Sequence, residues 1–304
     1  MLMLLALAAP LALFGLIDND DDEESTVEQI GDAADNEISG GIGDDFIDGL
    51  AGDDVMNGRA GDDTIFGREG NDVLEGADGN DMLCSGEGED VVTGNRGDDL
   101  IEGQGGDDWV SGDYGWDTVR GDEGNDTVLG GRGGDNVGGG EGDDLVFGGI
   151  LQGVPLNLQE LTELRDGGSL EEINGRIEMR DDSLGNTVLG GEGDDDLILG
   201  SNDISNGNEG NDTFHLMSER VGMDMGATIN GFDADEDAIT IIVDDVTAEI
   251  VITVTDEDND AVIRSGDQIL ARLTDRAGAI TAADITLIAE STVESLFDPN
   301  GAAA

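Results

Sequence analysis

The 304-residue chain carries 73 Asp and Glu against 12 basic residues, all of them Arg, for a formal charge of -61. That charge excludes nucleic acid as a partner, and the lack of Lys excludes phosphate-binding loops of the GxxxxGKS/T kind and Schiff-base chemistry. One cysteine, Cys84, and one histidine, His215, exclude an internal disulfide, a thiolate metal cluster and an HExxH zinc site, and no GxSxG elbow surrounds any serine. With 51 Gly and 3% aromatics, the composition alone reads as a disordered, solvating chain. Only a strong internal pattern can overturn that.

Residues 1–17 are apolar, broken by Pro10 and Gly15, and run into an acidic linker over 18–30. No Lys or Arg precedes the apolar run, which departs from a signal-peptide n-region, and its length is the lower limit for a membrane span. Export signal, membrane anchor and translation-start artefact stand side by side as readings, and membrane association is confined to this segment.

From Gly40 to Phe147 the chain reads as twelve uninterrupted nine-residue units, beginning GGIGDDFID, GLAGDDVMN, GRAGDDTIF, GREGNDVLE and GADGNDMLC. The first position is Gly except at Ser85, the fourth is Gly throughout, the sixth is Asp throughout and the eighth is aliphatic or Met. Random low complexity does not hold columns in phase. Gly at positions one and four suits a tight turn needing positive φ or close approach of another segment, and the apolar eighth residue suits a three-residue strand with one inward side chain. Each unit is therefore expected to be a six-residue turn plus a short strand. Such units must stack as coils of a parallel solenoid around one thin core.

Stacking with units n and n+2 as neighbours brings Asp45 near Asp63 and Asp54 near Asp72. At a strand spacing of about 4.8 Å two carboxylates repel by roughly 1 to 3 kcal/mol. Ten such pairs oppose folding by on the order of 10 to 30 kcal/mol, against a typical stability of about 5 to 15 kcal/mol. A hard cation between each pair reverses the sign, and turns offering only oxygen ligands select calcium over zinc or copper.

These units resemble the nonapeptide GGxGxDxUx of RTX (haemolysin-type) calcium-binding proteins. The resemblance implies an all-β, right-handed parallel β-roll, a solenoid stacked on multiple Ca2+ ions, with carboxylate ligands at the sixth position: Asp45, Asp54, Asp63, Asp72, Asp81, Asp90, Asp99, Asp108, Asp117, Asp126, Asp135 and Asp144. Turn carbonyls supply the other ligands. The second Gly of the motif survives only at Gly41, Gly86, Gly131 and Gly140, and the fifth position is Trp116 or Gly134 in two units.

Residues 31–39 fit the frame as an atypical capping coil, with Ala34 and Asn36 replacing Gly and Asp, so the roll is expected over 31–148. A helical insertion is expected over 149–185: Pro155 precedes Leu158, Leu161 and Leu164, Gly167 and Gly168 stop the helix, and Ser169 with Glu172 open a second one carrying Leu170, Ile173 and Ile177. The insertion reads as a partner-binding protrusion or, more simply, as a segment that packs on or caps the open coil end. The roll resumes over 186–215 with Asn186, Asp195, an eight-residue coil at Asp203, and Asp212; Asp195 and Asp212 complete the expected calcium ligands. Residues 216–304 are expected to form an antiparallel β cap with a turn at Gly266, resembling the flank that precedes the secretion signal of RTX proteins. Asp233, Asp235 and Asp237, and Asp256, Asp258 and Asp260, lack the Gly of an EF-hand loop and read as solvated acidic loops.

His215 and Cys84 fall in the ninth column and are expected at the surface. Phe46, Phe66, Trp109 and Phe147, in the seventh and ninth columns, are expected to form an apolar patch or to be covered by packing. The functional expectation is a secreted, extracellular or cell-surface bacterial protein that folds on calcium and has no catalytic role. The alternatives are an adhesion or interaction scaffold with a cell-surface or protein partner, and an accessory or truncated RTX toxin or enzyme. Only 39 residues precede Gly40, too few for the catalytic domain of the family's enzymes, and the Lys that haemolysin toxins acylate is missing.

Overall fold

The computed structural model describes residues 26–151, 154–169, 178–181, 184–218, 226–243 and 250–297. The apolar segment 1–17 and the second expected helix, with Leu170, Ile173 and Ile177, lie outside them. Among the described residues two sheets, of 13 and 11 strands, are built from alternate units. The first sheet begins Glu28–Ile30, Phe46–Ala51, Thr64–Glu69 and the second Glu37–Ser39, Val55–Ala60, Val73–Asp78. Strands two units apart pair in parallel, with Ile47 opposite Ile65 and Met56 opposite Leu74. This is the parallel β-roll implied by the nine-residue period.

The strands are longer than the three residues expected. Each takes in positions seven to nine and the first three residues of the next unit, as in Val55–Ala60. Pairing skips the first-position Gly and resumes at the second and third residues, Leu50 opposite Arg68 and Ala51 opposite Glu69. The second residue makes this bend by adopting positive φ even where it is not Gly, at Leu50, Arg59, Arg68, Ala77, Asn95, Gln104, Asp113 and Asp122. That conformation costs a non-Gly residue about 1 to 2 kcal/mol, and stacking of successive coils holds it in place.

Eighth-column side chains from both sheets meet in a single core running from Ile47, Met56 and Ile65 to Val188, Leu197 and Phe214. One rung is faulty. In the eight-residue coil Ser205 stands opposite Val188 and Ile229, fully buried, with its Oγ lacking a hydrogen-bond partner. An orphaned buried hydroxyl costs about 1 to 3 kcal/mol. Ser205→Val should therefore stabilise the folded chain by about 1 to 2 kcal/mol, read as a higher urea midpoint at fixed calcium; a lower midpoint would contradict this reading of the rung.

The insertion leaves the roll through a two-stranded neck, Ile150 opposite Arg180 and Leu151 opposite Met179. Helix α1 (Leu158–Arg165) begins at an Asn157 cap closed by Glu160 as a capping box. It packs against the strands Val73–Asp78 and Val91–Arg96, where Leu161 and Leu164 join Val73, Val91 and Trp109 in a second apolar cluster. The insertion thus covers the outer face of the second sheet rather than a coil end. Helix α2 (Glu290–Glu294) and the turn after it extend this cover, with the Phe297 ring 6.1 Å from Phe147. Phe46 and Phe66 pack on each other on the first sheet, centroids 5.8 Å apart.

The roll returns in phase, with Val137 opposite Val188 and Val146 opposite Leu197. Parallel stacking reaches further towards the C-terminus than expected: Ala227–Asn230 extends the first sheet, and Ala238–Val243 and Ile285–Ala289 extend the second. The antiparallel part of the cap is the run Ile252–Glu257, Asp260–Ser265 and Gln268–Leu273, turning at Gly266 with φ 61°.

Candidate metal centre

The sixth-column Asp residues lie at the ends of the strands in two stacked columns, one along each edge of the roll, all buried. Their Oδ1 atoms form a ladder with the backbone. Asp45 N–H donates to Asp63 Oδ1 at 2.7 Å, Asp63 N–H to Asp81 and Asp81 N–H to Asp99, each at 2.8 Å. On the other edge Asp54 N–H donates to Asp72 at 2.8 Å, Asp90 N–H to Asp108 at 2.8 Å and Asp126 N–H to Asp144 at 2.8 Å. Each step spans 18 residues, so the ladder joins the alternate units that stack. It also bridges the insertion: Asp144 N–H reaches Asp195 Oδ1 at 2.9 Å across 51 residues. It continues through the shortened coil, where Asp195 N–H donates to Asp212 at 3.2 Å across 17.

The second oxygen is the chemically open one. Oδ2 of Asp54, Asp63, Asp72, Asp81, Asp99, Asp108, Asp117, Asp126, Asp144 and Asp195 is buried with no hydrogen-bond partner. It sits beside the bare Cα of the first-position Gly of the same unit. A β-carbon on Gly103 would lie 2.4 Å from Asp108 Oδ2 and 2.6 Å from the Gly121 carbonyl oxygen of the next coil. The same carboxylate and carbonyl pair flanks Gly40, Gly49, Gly76 and Gly190. At these positions first-column Gly is required because two oxygens occupy the space a side chain would take, and at Gly58, Gly94, Gly112, Gly121 and Gly139 the aspartate itself fills it. Fourth-column Gly has a separate reason: Gly97 combines φ 134° with a carbonyl, Gly79 O, only 1.5 Å from where its β-carbon would be.

Burial pushes these carboxyls up, most of all where the array is deepest: Asp108 to about 9, Asp117 and Asp144 to about 8, and Asp72, Asp81, Asp99, Asp126 and Asp195 to about 7. Asp54, Asp63, Asp90 and Asp212 rise to about 6. Desolvation is the largest cause in every case, the backbone N–H donor opposes it, and neighbouring carboxylates add to it in most. Repulsion between stacked Asp residues is thus real but smaller than the cost of burying them.

Three units expected to be irregular keep the ladder. Asp99 N–H donates to Asp117 and Asp117 N–H to Asp135, each at 2.9 Å, beside Trp116 and Gly134. Ser85, in place of Gly, donates its hydroxyl to Gly103 O at 2.8 Å. The change of chemistry comes at Asn186, whose Oδ1 accepts from Asp135 N–H at 2.9 Å, putting an amide where the column otherwise has a carboxylate. At the N-terminal end Asp45 differs too: its Oδ1 accepts from Val27 N–H and its Oδ2 from Gly41 N–H, both at 2.5 Å.

Sequence reasoning missed two members. Asp203 accepts from Asn186 N–H at 2.8 Å and from Gly200 N–H at 2.6 Å; its coil is a residue short, which takes it out of the nine-residue register. Asp237 accepts from Asp212 N–H at 3.2 Å, so it ends the second ladder rather than belonging to a solvated loop as expected. A further ladder, also unforeseen, runs outside. Fifth-column side chains accept the N–H of the fifth residue one coil on, as in Asp62 N–H to Asp44 at 2.9 Å and Asn71 N–H to Asp53 at 3.0 Å.

Two surface expectations are corrected. His215 is 5% exposed, with Nε2 2.8 Å from Asp196 Oδ1 and Nδ1 2.6 Å from Thr240 Oγ1, because the cap covers the ninth column there. Cys84 is 5% exposed, donates to Glu102 at 3.8 Å, and is pushed up to about 11 by burial, which suppresses the thiolate that oxidation requires. Among the described residues no three His, Cys, Asp or Glu side chains converge on one point. An ion here would need main-chain oxygens beside one carboxylate per turn, and those oxygens are what the glycine columns expose.

A comparison with curated proteins gives no match. Among solved structures the extracellular lipase LipA from Serratia marcescens aligns at 17% identity over 81% of this chain, with a TM-score of 0.23. This chain spans 40% of the length of that lipase. The family model of the RTX calcium-binding nonapeptide repeat matches residues 30–65, 51–83, 58–92, 85–113, 93–128 and 111–146. With its glycine and aspartate columns in the arrangement described, the segment 30–146 consists of RTX calcium-binding nonapeptide repeats.

Proposed function

We propose that the chain is a non-catalytic β-roll that folds outside the bacterial cell when calcium fills its turns. The observation that carries this is the row of buried Oδ2 atoms, which at Asp54, Asp72, Asp81, Asp108 and Asp195 face a carbonyl oxygen across a bare glycine. Asp45, Asp54, Asp63, Asp72, Asp81, Asp90, Asp99, Asp108, Asp117, Asp126, Asp135, Asp144, Asp195 and Asp212 would hold the ions, together with turn carbonyls. Asp203 and Asp237 extend the same columns. All-oxygen sites of this kind suit calcium, and calcium would supply the positive charge that lets buried carboxylates remain ionised.

The domain division over 31–148, 149–185, 186–215 and 216–304 belongs to the same proposal, as does extracellular placement, where free calcium is abundant enough for low-affinity sites. Among the described residues no helix is long and apolar enough to cross a membrane.

Calorimetric titration with calcium, with far-ultraviolet dichroism in parallel, tests the proposal. The expected result is several ions bound in step with a change from coil to strand at pH 8. Ion binding with no spectral change, or identical spectra in chelator and in millimolar calcium, would overturn it.

A further inference from the structure

The fifth column departs from its pattern at two stacked positions on one edge of the roll. Trp116 occupies a fifth position that is otherwise acid, amide or Gly, and it is 74% exposed. The fifth residue one coil further on is Gly134, where a β-carbon would meet only Gly185 O, at an ordinary 3.5 Å. A side chain would fit beside Trp116, and the sequence leaves it out. On the other side Asp98 uses Oδ1 to accept the Trp116 N–H at 2.9 Å.

Two residues before Trp116, exposed Tyr114 lies between Arg96 and Arg132 in register. Arg96 pairs with Asp78 at 3.0 Å. Arg132 instead lies over the Tyr114 ring, 5.4 Å from its centroid, and among the described residues no carboxylate reaches ion-pair distance of it. In a chain with six acids for every Arg, a guanidinium stacked on an aromatic and left without an acid is an available donor group. A shallow cleft continues from Tyr114 and Arg132 to Ile150, Val154 and Pro155 at the foot of the insertion.

Charge narrows the partner from two directions. The field of a chain with net charge -61 repels polyanions. The local guanidinium of Arg132 disfavours a cationic segment. An exposed indole with the Asp98 carboxylate at its backbone and, two residues away, a tyrosine under the Arg132 guanidinium suits an uncharged polyol ring, whose C–H face stacks on an aromatic while its hydroxyls take the polar groups. We propose that this edge binds a neutral, hexose-containing glycan, with a sugar ring on Trp116 and hydroxyls held by Arg132 and Asp98.

The chain has two Trp residues, and Trp109 is 4% exposed in the apolar cluster under α1, so intrinsic fluorescence of Trp109→Phe reports on Trp116 directly. The full chain in millimolar calcium would be titrated with maltohexaose, cellohexaose, mannohexaose and a galacto-oligosaccharide, with oligoguluronate and oligolysine as charged probes. A saturable shift with at least one neutral oligosaccharide, and none with the charged probes, is expected. Calorimetry should then show the affinity falling by about tenfold or more in Trp116→Asp and in Gly134→Asp. Both restore the usual residue of the repeat and so keep the fold, which dichroism verifies. No saturable shift with any neutral member, binding of a charged probe instead, or unchanged affinity in Trp116→Asp would overturn the proposal.

Discussion

In chelator, the chain should be unstructured at pH 8 and gain strand dichroism on acidification to pH 5, with no metal added. The carboxyls of Asp54, Asp63, Asp72, Asp81, Asp90, Asp99, Asp108, Asp117, Asp126, Asp144, Asp195 and Asp212 rise from 3.8 to between about 6 and 9 in the folded roll. A raised folded value means that the folded chain binds more protons than the unfolded one over that interval. Stability is therefore fully present below about 4 and is lost as pH rises through 6 to 9. One unit per group is about 1.4 kcal/mol, so a dozen groups match the whole of a typical stability of about 5 to 15 kcal/mol. At pH 5 most of these groups are protonated, while the chain remains above its isoelectric point of about 4.1 and stays soluble. Protons and calcium then compete for the same oxygens: the calcium midpoint should rise as pH falls from 8 to 5, and calcium added to the acid-folded roll at pH 5 should release protons. Superimposable chelator spectra at pH 5 and pH 8 would show that burial of these carboxylates is not what keeps the metal-free chain unfolded.

Gly97→Ala should break the array. The residue has φ 134°, a β-carbon would come 1.5 Å from Gly79 O and 2.4 Å from Gly79 C, and its N–H donates to Tyr114 O at 2.9 Å. Relief would need two coils to move apart, losing the ladder bonds from Asp81 to Asp99 and from Asp99 to Asp117. The φ alone belongs to a region that is essentially Gly-only, and the combined cost should exceed about 4 kcal/mol. Because coils interact only with their neighbours, the damage should divide calcium-induced folding into two transitions rather than weaken it evenly. Ala77→Gly is the control: Ala77 also has positive φ, 83°, but relief of left-handed strain is offset by unfolded-chain entropy, leaving stability within about 1 kcal/mol of the parent. A single unshifted calcium transition in Gly97→Ala would refute the close-packed coil described above.

The period of nine was legible because three columns each answer a strict physical demand: Gly52 and its successors need positive φ, Ile47 and its successors fill a core one side chain wide, and Asp45 and its successors meet the turn. The stacking of alternate units followed from the same period. What escaped was conditional on contacts between coils. Leu50 and Arg59 carry no mark of positive φ, since the stack imposes it. Asp203 and Asp237 are out of frame by residue number yet in frame in space, and His215 and Cys84 sit in an outward column yet are buried. The first-column glycines were legible as a turn feature, but only the structure shows that an aspartate oxygen, at several of them with a carbonyl, fills the space.

The inner ladder has a direction. Every buried N–H in it is satisfied by a carboxylate or amide from the coil on its C-terminal side, while the outer fifth-column ladder runs the opposite way in contact with water. The N-terminal end needs only to offer donors, as Val27 and Asn36 do. The C-terminal end would strand buried donors if it simply stopped, and Asp203 and Asp237 close the two columns there. The roll is consequently a polar filament segment whose two tips have unequal cutting costs. Coils removed from the front leave carboxylate acceptors without their backbone donors, whereas coils removed from the back leave backbone donors without their carboxylates, and Asp203 and Asp237 are the last of those acceptors among the described residues.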